Sequence, residues 1–488
     1  MPEQTDVLVV GAGPTGLAVA AELALAGVGA IVIDALPERS GQSKALALQP
    51  RSAELLDSRG WLEPLRPHIH ARLAEGHFAG LPLDYSVLET RFPHQIAVEQ
   101  ARIEEVLEAR AGRVRWAHAC TAVRQSADEV AVAVETPAGP AEIAARFAVA
   151  ADGAHSTVRR ALGVPFPGRA ARMRLAVADV TLARKPTGLA EAWAPPEFGS
   201  GGFGYLLPLG AGVYRVLFGG EEQQAKERTE PVTAAEVQRG LEAVHGDGVE
   251  VAAVRWGSRF SDASRQVERY RHGRVLFAGD AAHIHLPAGG QGLNLGLQDA
   301  FNLGWKLAAV ARGDAEESLL DTYHDERHPV ASRVLVNTRA QGVLTIPDPD
   351  LLALREVFGD LLAGPAANRR LAGEVSGIDI RNGIAAAPPR SSTGLRLPDT
   401  ALDCARPSLL AARPVLIGPP HLEAIARPWR DRLDTAAGNA GMLVRPDGYL
   451  AWTDPDGEQG LARALGRWLG APLQHDANTG TERTRDHA

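Results

Sequence analysis

The sequence predicts an α/β protein whose main domain is of the Rossmann type, split by an inserted antiparallel-sheet domain and followed by a further α/β unit. Three observations predict it. A short apolar run, Asp6-Val-Leu-Val-Val10, leads straight into Gly11-Ala-Gly-Pro-Thr-Gly16 and a helix-forming stretch. Residues 173–256 then change character to short strands broken by Pro and Gly clusters, before buried-strand patterns return at 274–278. Residues 388–488 alternate strands and helices once more. The chain has 488 residues, which at roughly 150 per domain allows two to four domains.

Asp6-Val-Leu-Val-Val10 is continuous in apolar residues, as a strand buried on both faces of a parallel sheet requires. Residues 14–26 read as a helix stopped at Gly27, and Ala30-Ile-Val-Ile33 as the second strand of a βαβ unit. Helices are expected at 52–58 and 101–111, an alternating antiparallel strand at 129–135, and a buried strand at 145–151 ahead of Asp152. In the inserted part, Ala194-Pro-Pro-Glu-Phe-Gly-Ser-Gly-Gly-Phe-Gly204 reads as a mobile hairpin. Helices dominate residues 293–371, where Leu303, Leu307 and Val310 recur at helical spacing, and the composition around Pro388 marks a linker. The expected boundaries are 1–172 with 257–387 for the split domain, 173–256 for the inserted sheet and 388–488 for the last unit, with a frayed tail after Gln474.

Composition removes several classes. The formal net charge is −8, which disfavours the counterion release that non-specific nucleic-acid binding needs. Only two cysteines occur, Cys120 and Cys404, so neither a disulfide framework nor a zinc site of paired cysteines is expected. The N-terminal residues are acidic and carry no basic signal region. The most apolar stretch, 17–36, contains Glu22, Asp34 and two glycines, which suits a helix, turn and strand and not a membrane span. A cytoplasmic enzyme is the expected class.

The glycine motif has a mechanical reading. Gly11 permits the tight turn, Gly13 lets backbone approach a pyrophosphate, and Gly16 allows close helix–strand packing. Pro14 and Thr15 open the helix whose free N–H groups would face the phosphates, and Asp34 would accept from ribose hydroxyls. That much licenses a dinucleotide without choosing one.

Two later segments, each after an apolar strand, narrow the choice: Asp152-Gly-Ala-His-Ser-Thr-Val-Arg159, and Gly279-Asp-Ala-Ala-His283 continuing through Pro287 to Gly289-Gly-Gln-Gly-Leu-Asn294. With the first motif they resemble the class A flavin-dependent aromatic hydroxylases, specifically the group acting on aromatic polyketides, whose motifs the rifamycin monooxygenases share. The match runs from the first strand to about Gln341 and is weaker in the last unit. The resemblance implies FAD as cofactor and NADPH as a transient co-substrate, no second glycine-rich dinucleotide motif being present. It implies that Asp280 binds a ribityl hydroxyl, that Pro287 lies beside the isoalloxazine, and that Gly290, Gly292, Leu293 and Asn294 serve its pyrimidine end. Gln95 would contact the ribityl and phosphate region. Lys44 stands where the family commonly has arginine near the pyrophosphate, with Arg39 as a second cation, and Cys120 lies where relatives touch adenine with backbone. Asp152 and Arg159 could serve FAD and NADPH or form a structural ion pair; both readings stay open.

For substrate, Phe203, Tyr205 and Arg215 of the inserted sheet, with Pro287, are candidates for the cavity wall, and each could equally be sheet packing. His77 and Phe78 are weighed between a place near the substrate and a packed loop. His283 and His285 lack the companions of a metal site, and Trp305 reads as helix core. The last unit resembles the thioredoxin-like domain of larger family members but has no C-x-x-C, so a redox role there is not expected. The implied activity is NAD(P)H- and O2-dependent hydroxylation of a phenolic polycyclic substrate through a C4a-hydroperoxyflavin, needing no dedicated catalytic base. Two alternatives remain: a rifamycin-type antibiotic-inactivating monooxygenase, and an FAD-carrying protein that sequesters a planar antibiotic without turnover. Oligomeric state is left open, a homodimer being one outcome.

Overall fold

Val7, Leu8 and Val9 are completely buried, and the strand they belong to, Glu3–Val10, is the axis of the first sheet. In the computed structural model, which describes residues 3–185, 197–199, 202–346, 348–382 and 391–472, this strand pairs in parallel with Gly139–Ala150 on one side and Ala30–Ile33 on the other. Val275–Phe277 extends the sheet in parallel beyond Gly139–Ala150, and Val114–Arg115 extends it beyond Ala30–Ile33. Val130–Thr136 and Ala119–Gln125 add an antiparallel extension through the same long strand. Continuous Val, Leu and Ala runs are what a sheet covered on both faces demands. Helix Pro14–Leu25 packs between helices Gln100–Ala111 and Gln291–Ala311.

The inserted sheet has the strand order Glu197–Gly199, Gly202–Gly210, Val213–Gly220, Arg174–Arg184, Glu250–Ser261, all antiparallel. Helix Ala234–His245 closes one face over Val180, Leu206, Val216 and Phe218. The last strand continues to Ser261, beyond the expected limit at 256, because its partner Arg174–Arg184 runs on to meet it. Just past it, Ser264–Gln266 pairs with both Gly168–Arg169 and His283–Ile284 and so hooks the insertion to the segment after Gly279. The hairpin expected at 194–204 in part, the linker at Pro388 and the tail after Gln474 lie outside the described residues.

Helix Gln291–Ala311 is buried along almost its whole length and is the centre of the molecule. Helices Asp321–Val343, Pro349–Leu362 and Pro365–Ser376 follow it. In the last unit the strand order is Asp434–Ala437, Val415–Gly418, Met442–Val444, Leu450–Thr453; the first pair is parallel and the others antiparallel. Among the described residues no helix is long and apolar enough to cross a membrane.

The last unit is fastened to the first by buried charge. Arg59 forms a two-point ion pair with Glu22 at 2.7 and 2.9 Å and also donates to the carbonyls of Leu409 and Pro446 at 2.6 and 2.9 Å. Glu326 takes Arg445 at 2.5 and 2.9 Å and Lys306 at 2.9 Å, while Arg445 lies 4.5 Å from the ring centre of Trp468. Burial pushes the Lys306 ammonium down to about 8, against the pull of Glu326. Burial would raise Glu326, but Arg445 and Lys306 outweigh it and hold its carboxyl far below the usual range. Breaking one partner of such a pair strands the other in low dielectric. Glu22→Gln is therefore expected to lower unfolding free energy by about 3–5 kcal/mol. Urea denaturation should show part of that loss restored in the Glu22→Gln/Arg59→Met double variant, where no buried charge is left alone.

Candidate cofactor and active site

At the nucleotide end the chain is packed to the limit. A Cβ on Gly11, whose φ is +105°, would meet the Ala151 carbonyl oxygen at 2.3 Å, and a Cβ on Gly16 would meet the Gly11 carbonyl oxygen at 2.0 Å. Gly13 faces open space and caps helix Pro14–Leu25 without any side-chain hydrogen bond. The first-turn N–H groups therefore have no partner inside the helix and suit a phosphate. Asp34 accepts from Ala12 N at 2.7 Å and Leu36 N at 2.9 Å, so its carboxylate is tied to the turn while each oxygen keeps further acceptor capacity.

Arg39 pairs with Glu105 and Glu108 at 3.4 and 3.1 Å, and Lys44 is exposed. Both cations, with Asp34, act on Glu104, whose carboxyl burial pushes up. Cys120 is part-buried and its thiol is pushed up to about 12 by burial and then by the charge of Asp152. A thiol so disfavoured as thiolate is inert. Asp152 accepts from Val158 N at 3.1 Å, and its Oδ1 is buried with no hydrogen-bond partner among the described residues. Arg159 donates to the Ala281 and Ala154 carbonyls at 3.0 and 2.8 Å and lies 3.8 Å from the ring centre of Phe166. It staples the 152–159 turn to the strap after Gly279, through carbonyls and not through an ion pair.

The strap holds the second half of the site. Asp280 sits in the tight turn Gly279–Ala281 with its side chain exposed and accepting no hydrogen bond among the described residues. Thr15 Oγ1 lies 2.7 Å from where a Cβ on Gly279 would stand and 2.3 Å from one on Gly296, so strap, first helix and central helix meet there without room for a methyl group. After Pro287 the chain takes two successive left-handed residues, Gly289 and Gly290 at φ +70° and +62°, and the central helix starts at Gln291. The sequence reading has helices from residue 293; the left-handed pair ends the loop two residues earlier. Gly292, Leu293 and Asn294 thus occupy its first turn, where backbone N–H groups are free for a ligand.

Asn294 fixes that turn. Its Oδ1 accepts from Gln49 N at 2.8 Å, and its Nδ2 donates to the Ala47 and Gly290 carbonyls at 3.1 and 2.8 Å. Gln49 Nε2 donates to the Gly289 carbonyl at 2.8 Å and approaches Gln95 Oε1 at 3.5 Å, while Gln95 donates to the Glu75 carbonyl at 3.0 Å. Gln49 Oε1 is buried without a hydrogen-bond partner among the described residues. No motif marked Gln49. Only its place before Pro50, at the entry to helix Pro50–Ser58, hinted that its backbone was constrained.

Behind the strap lies Asp299, completely buried. Its Oδ2 meets His283 Nε2 at 2.7 Å and accepts from Gly279 N at 3.3 Å; its Oδ1 accepts from Arg327 Nε at 2.8 Å. Burial would raise this carboxyl, but Arg327 and then His283 prevail and hold it below the usual range. His283 is thereby committed to the protein, and no cluster of three or more metal-ligating groups exists among the described residues.

On the inserted sheet, Arg215 is buried in a two-point ion pair with Asp179 at 2.7 and 2.8 Å, faces Trp256, and donates to the Lys44 carbonyl at 3.3 Å. It clasps the loop around Lys44. Phe203 pairs through its backbone with Gly219, and its side chain lies outside the described residues. Tyr205 is part-buried, and it interacts with Arg355 of helix Pro349–Leu362, a residue no sequence signal singled out. His77 also faces Arg355. Trp305 is core, as read from the sequence.

Taken together, uncapped helix starts, a free carboxylate at Asp280 and tightly packed glycines suit a long molecule with a pyrophosphate, a polyol and a flat ring, which is FAD. A family model described as an FAD binding domain matches residues 4–338, and one described as the aromatic-ring hydroxylase C-terminal domain matches residues 390–472. The 12-dehydrotetracycline 5-monooxygenase/anhydrotetracycline 6-monooxygenase of Streptomyces rimosus is 43% identical, over 96% of this chain and 99% of that one. The rifampicin monooxygenase of Streptomyces venezuelae is 40% identical, over 96% and 99%. Among solved structures, the anhydrotetracycline hydroxylase OxyS from Streptomyces rimosus superposes with a TM-score of 0.88 at 42% identity, covering 96% of this chain and 100% of that one.

Two outcomes are expected. Asp280→Ala, at an exposed position, should leave the melting temperature of the apoprotein unchanged and release FAD on gel filtration; a fully yellow, active variant would refute the role given to Asp280. Asp299→Asn should cost about 3–5 kcal/mol by stranding Arg327. Because the folded carboxyl titrates below its unfolded value of about 3.9, its stabilisation is complete above that pH and fades as pH falls through the lower folded value. The variant should accordingly show a flatter acid limb in a pH series of urea melts.

Proposed function

The chain belongs to the FAD-binding aromatic-ring hydroxylases and is an FAD-dependent monooxygenase, and on that premise we propose that it inserts one atom of O2 into a phenolic ring of a polycyclic, aromatic-polyketide-type substrate at the expense of NADPH. The observation that carries the reading is the segment 279–294, where an exposed Asp280, two left-handed glycines and an uncapped helix start follow one another. Bound there, FAD supplies hydride acceptance and the activation of O2. This chain's residues do the rest. Asp280 takes a ribityl hydroxyl, Thr15 and the first glycine turn seat the pyrophosphate, and Asp34 holds the ribose. The dipole of helix Gln291–Ala311 and its first N–H groups lower the energy of negative charge on the ring's pyrimidine end. Gln49 and Asn294 keep that turn from relaxing. A phenol activates its own ring on ionisation, so no side-chain nucleophile is required.

The last unit is read as thioredoxin-like. A parallel strand pair followed by two antiparallel strands supports this, and the unit's single cysteine, exposed Cys404, leaves it no dithiol. Its part is structural: it steadies the central helix through Glu326 and Arg445. The 40% identity to a rifampicin monooxygenase supports a second substrate class of the same chemistry. Purified protein with NADPH should be screened against tetracyclic phenolic polyketides and rifamycins. The expected result is substrate-stimulated NADPH oxidation and a product carrying one oxygen atom from isotopically labelled O2. Tight binding without turnover would make the protein a sequestering one, and peroxide without insertion an oxidase.

A further inference from the structure

Gln341 is completely buried, and the two ends of its amide serve different elements. Its Oε1 accepts from Ala79 N at 2.8 Å, and its Nε2 donates to Asn337 Oδ1 at 2.6 Å. The same Asn337 oxygen accepts from Gln291 Nε2 at 3.2 Å, and Gln291 Nε2 also donates to the Ala288 carbonyl at 3.2 Å. One chain of hydrogen bonds thus runs from the loop before the central helix to the turn between strands Glu75–Phe78 and Leu81–Asp84. Strand Glu75–Phe78 and helix Asp321–Val343 both lie against that loop.

Both ends of the chain are left-handed. Ala79 has φ +53° and Gly289 has φ +70°. A left-handed alanine costs about 1 kcal/mol or more and persists only where the surroundings hold it. Gln341 holds it at the amide, and Arg355 Nη1 holds it at the carbonyl. At Gly289 the hold is steric as well as polar. A Cβ there would stand 3.2 Å from Gln291 Nε2 and 3.4 Å from Gln341 Nε2, while Gln49 Nε2 donates to the Gly289 carbonyl at 2.8 Å. Filling space alone would be cheaper with an apolar side chain, because a buried amide must have its polar ends bonded. What the glutamine adds is direction: a donor toward the loop and an acceptor toward the turn.

We infer that Gln341 is a positioning residue for the flavin ring, which through Asn337 and Gln291 registers the 288–290 loop against the hairpin turn at Ala79, so that neither shifts alone. The inference rests on the proposed reading of segment 279–294 as the flavin-bearing segment and deepens it. Asn337 enters both of its bonds as the acceptor, so a carboxylate can replace it there and an apolar side chain cannot.

The test follows amide hydrogen exchange in the full chain, with and without FAD, at Ala79 and at residues 291–293. FAD should slow exchange at both places in the wild type. In the apoprotein, Gln291→Met, which leaves the acceptor of Ala79 N in place, should make the Ala79 amide exchange about twofold to tenfold faster, the range set by the net worth of one hydrogen bond. Gln291→Met, Gln341→Met and Asn337→Leu should each abolish the FAD response at Ala79 and keep it at residues 291–293. Asn337→Asp should behave as the wild type, a rescue that loss of packing alone would not give. If Gln341→Met does not fold, Gln291→Met and the two Asn337 variants make the same comparison. An FAD response at Ala79 that survives in Gln291→Met, or apoprotein exchange at Ala79 that Gln291→Met leaves unchanged, overturns the inference. FAD that leaves residues 291–293 unprotected overturns the reading of the segment instead, and the apoprotein comparison still decides whether Gln341 joins the loop to the turn.

Discussion

Asp299 is the constraint on which the site's second half depends. It is one carboxylate with no access to solvent, and it holds three things that the chain separates: the turn at Gly279, the strap at His283 and the helix bearing Arg327. Without the two cationic or hydrogen-bonding partners its burial would be prohibitive. With them, the strap can lie only one way across the central helix, and Asp280, next to the anchored Gly279, is turned outward. The exposed carboxylate proposed to meet the cofactor is thus placed by a buried one.

The same helix collects the other supports. Its start is held by Gln49 through Asn294, its middle by Asp299, and its later turns by Asn302 and Lys306, which share Glu326 with Arg445 of the last unit. Arg445 in turn lies against Trp468. These are pairs that stabilise little in net terms, yet they fail expensively if one member is lost. Their value is in position: a helix start proposed to offer its N–H groups to a flat ring is kept from fraying or rotating. That explains why a chain with no redox dithiol in its last unit still carries that unit docked by buried charge.

How much of this was legible in the sequence depends on the range of the signal. The βαβ unit was legible because glycine spacing and an apolar run are local and have one physical meaning; Gly11 and Gly16 are where backbone contact leaves no room for a Cβ. The segment 279–294 was legible as a unit, but its helix start was read late, since Gln291 and Gly292 look like loop until the left-handed pair before them is seen. Gln49, Asp299, Arg327 and Arg355 were silent. Each acts through a partner distant in sequence, Gln49 with Asn294 for one, and such pairing leaves no period or motif behind. Arg215 and Arg159 show the converse. Both are arginines in suggestive places, and the structure employs both in holding strands and turns together.

What unites the two ends of the site is the treatment of charge. At the segment 288–294, proposed to carry the flavin ring, the protein offers neutral donors and a helix dipole, which stabilise added negative charge without a counterion moving. At the hairpin turn the cation Arg355 adds to burial in keeping His77 neutral, while Tyr205 is kept neutral by burial against the pull of that cation. The hydrogen-bonded chain from the Ala288 carbonyl through Gln291, Asn337 and Gln341 to Ala79 N joins them, so a shift of the loop must be felt at the turn. A left-handed alanine at the far end of that chain is strain held in place by it, which argues that the geometry of the turn is set by the site and not by the hairpin's own preference.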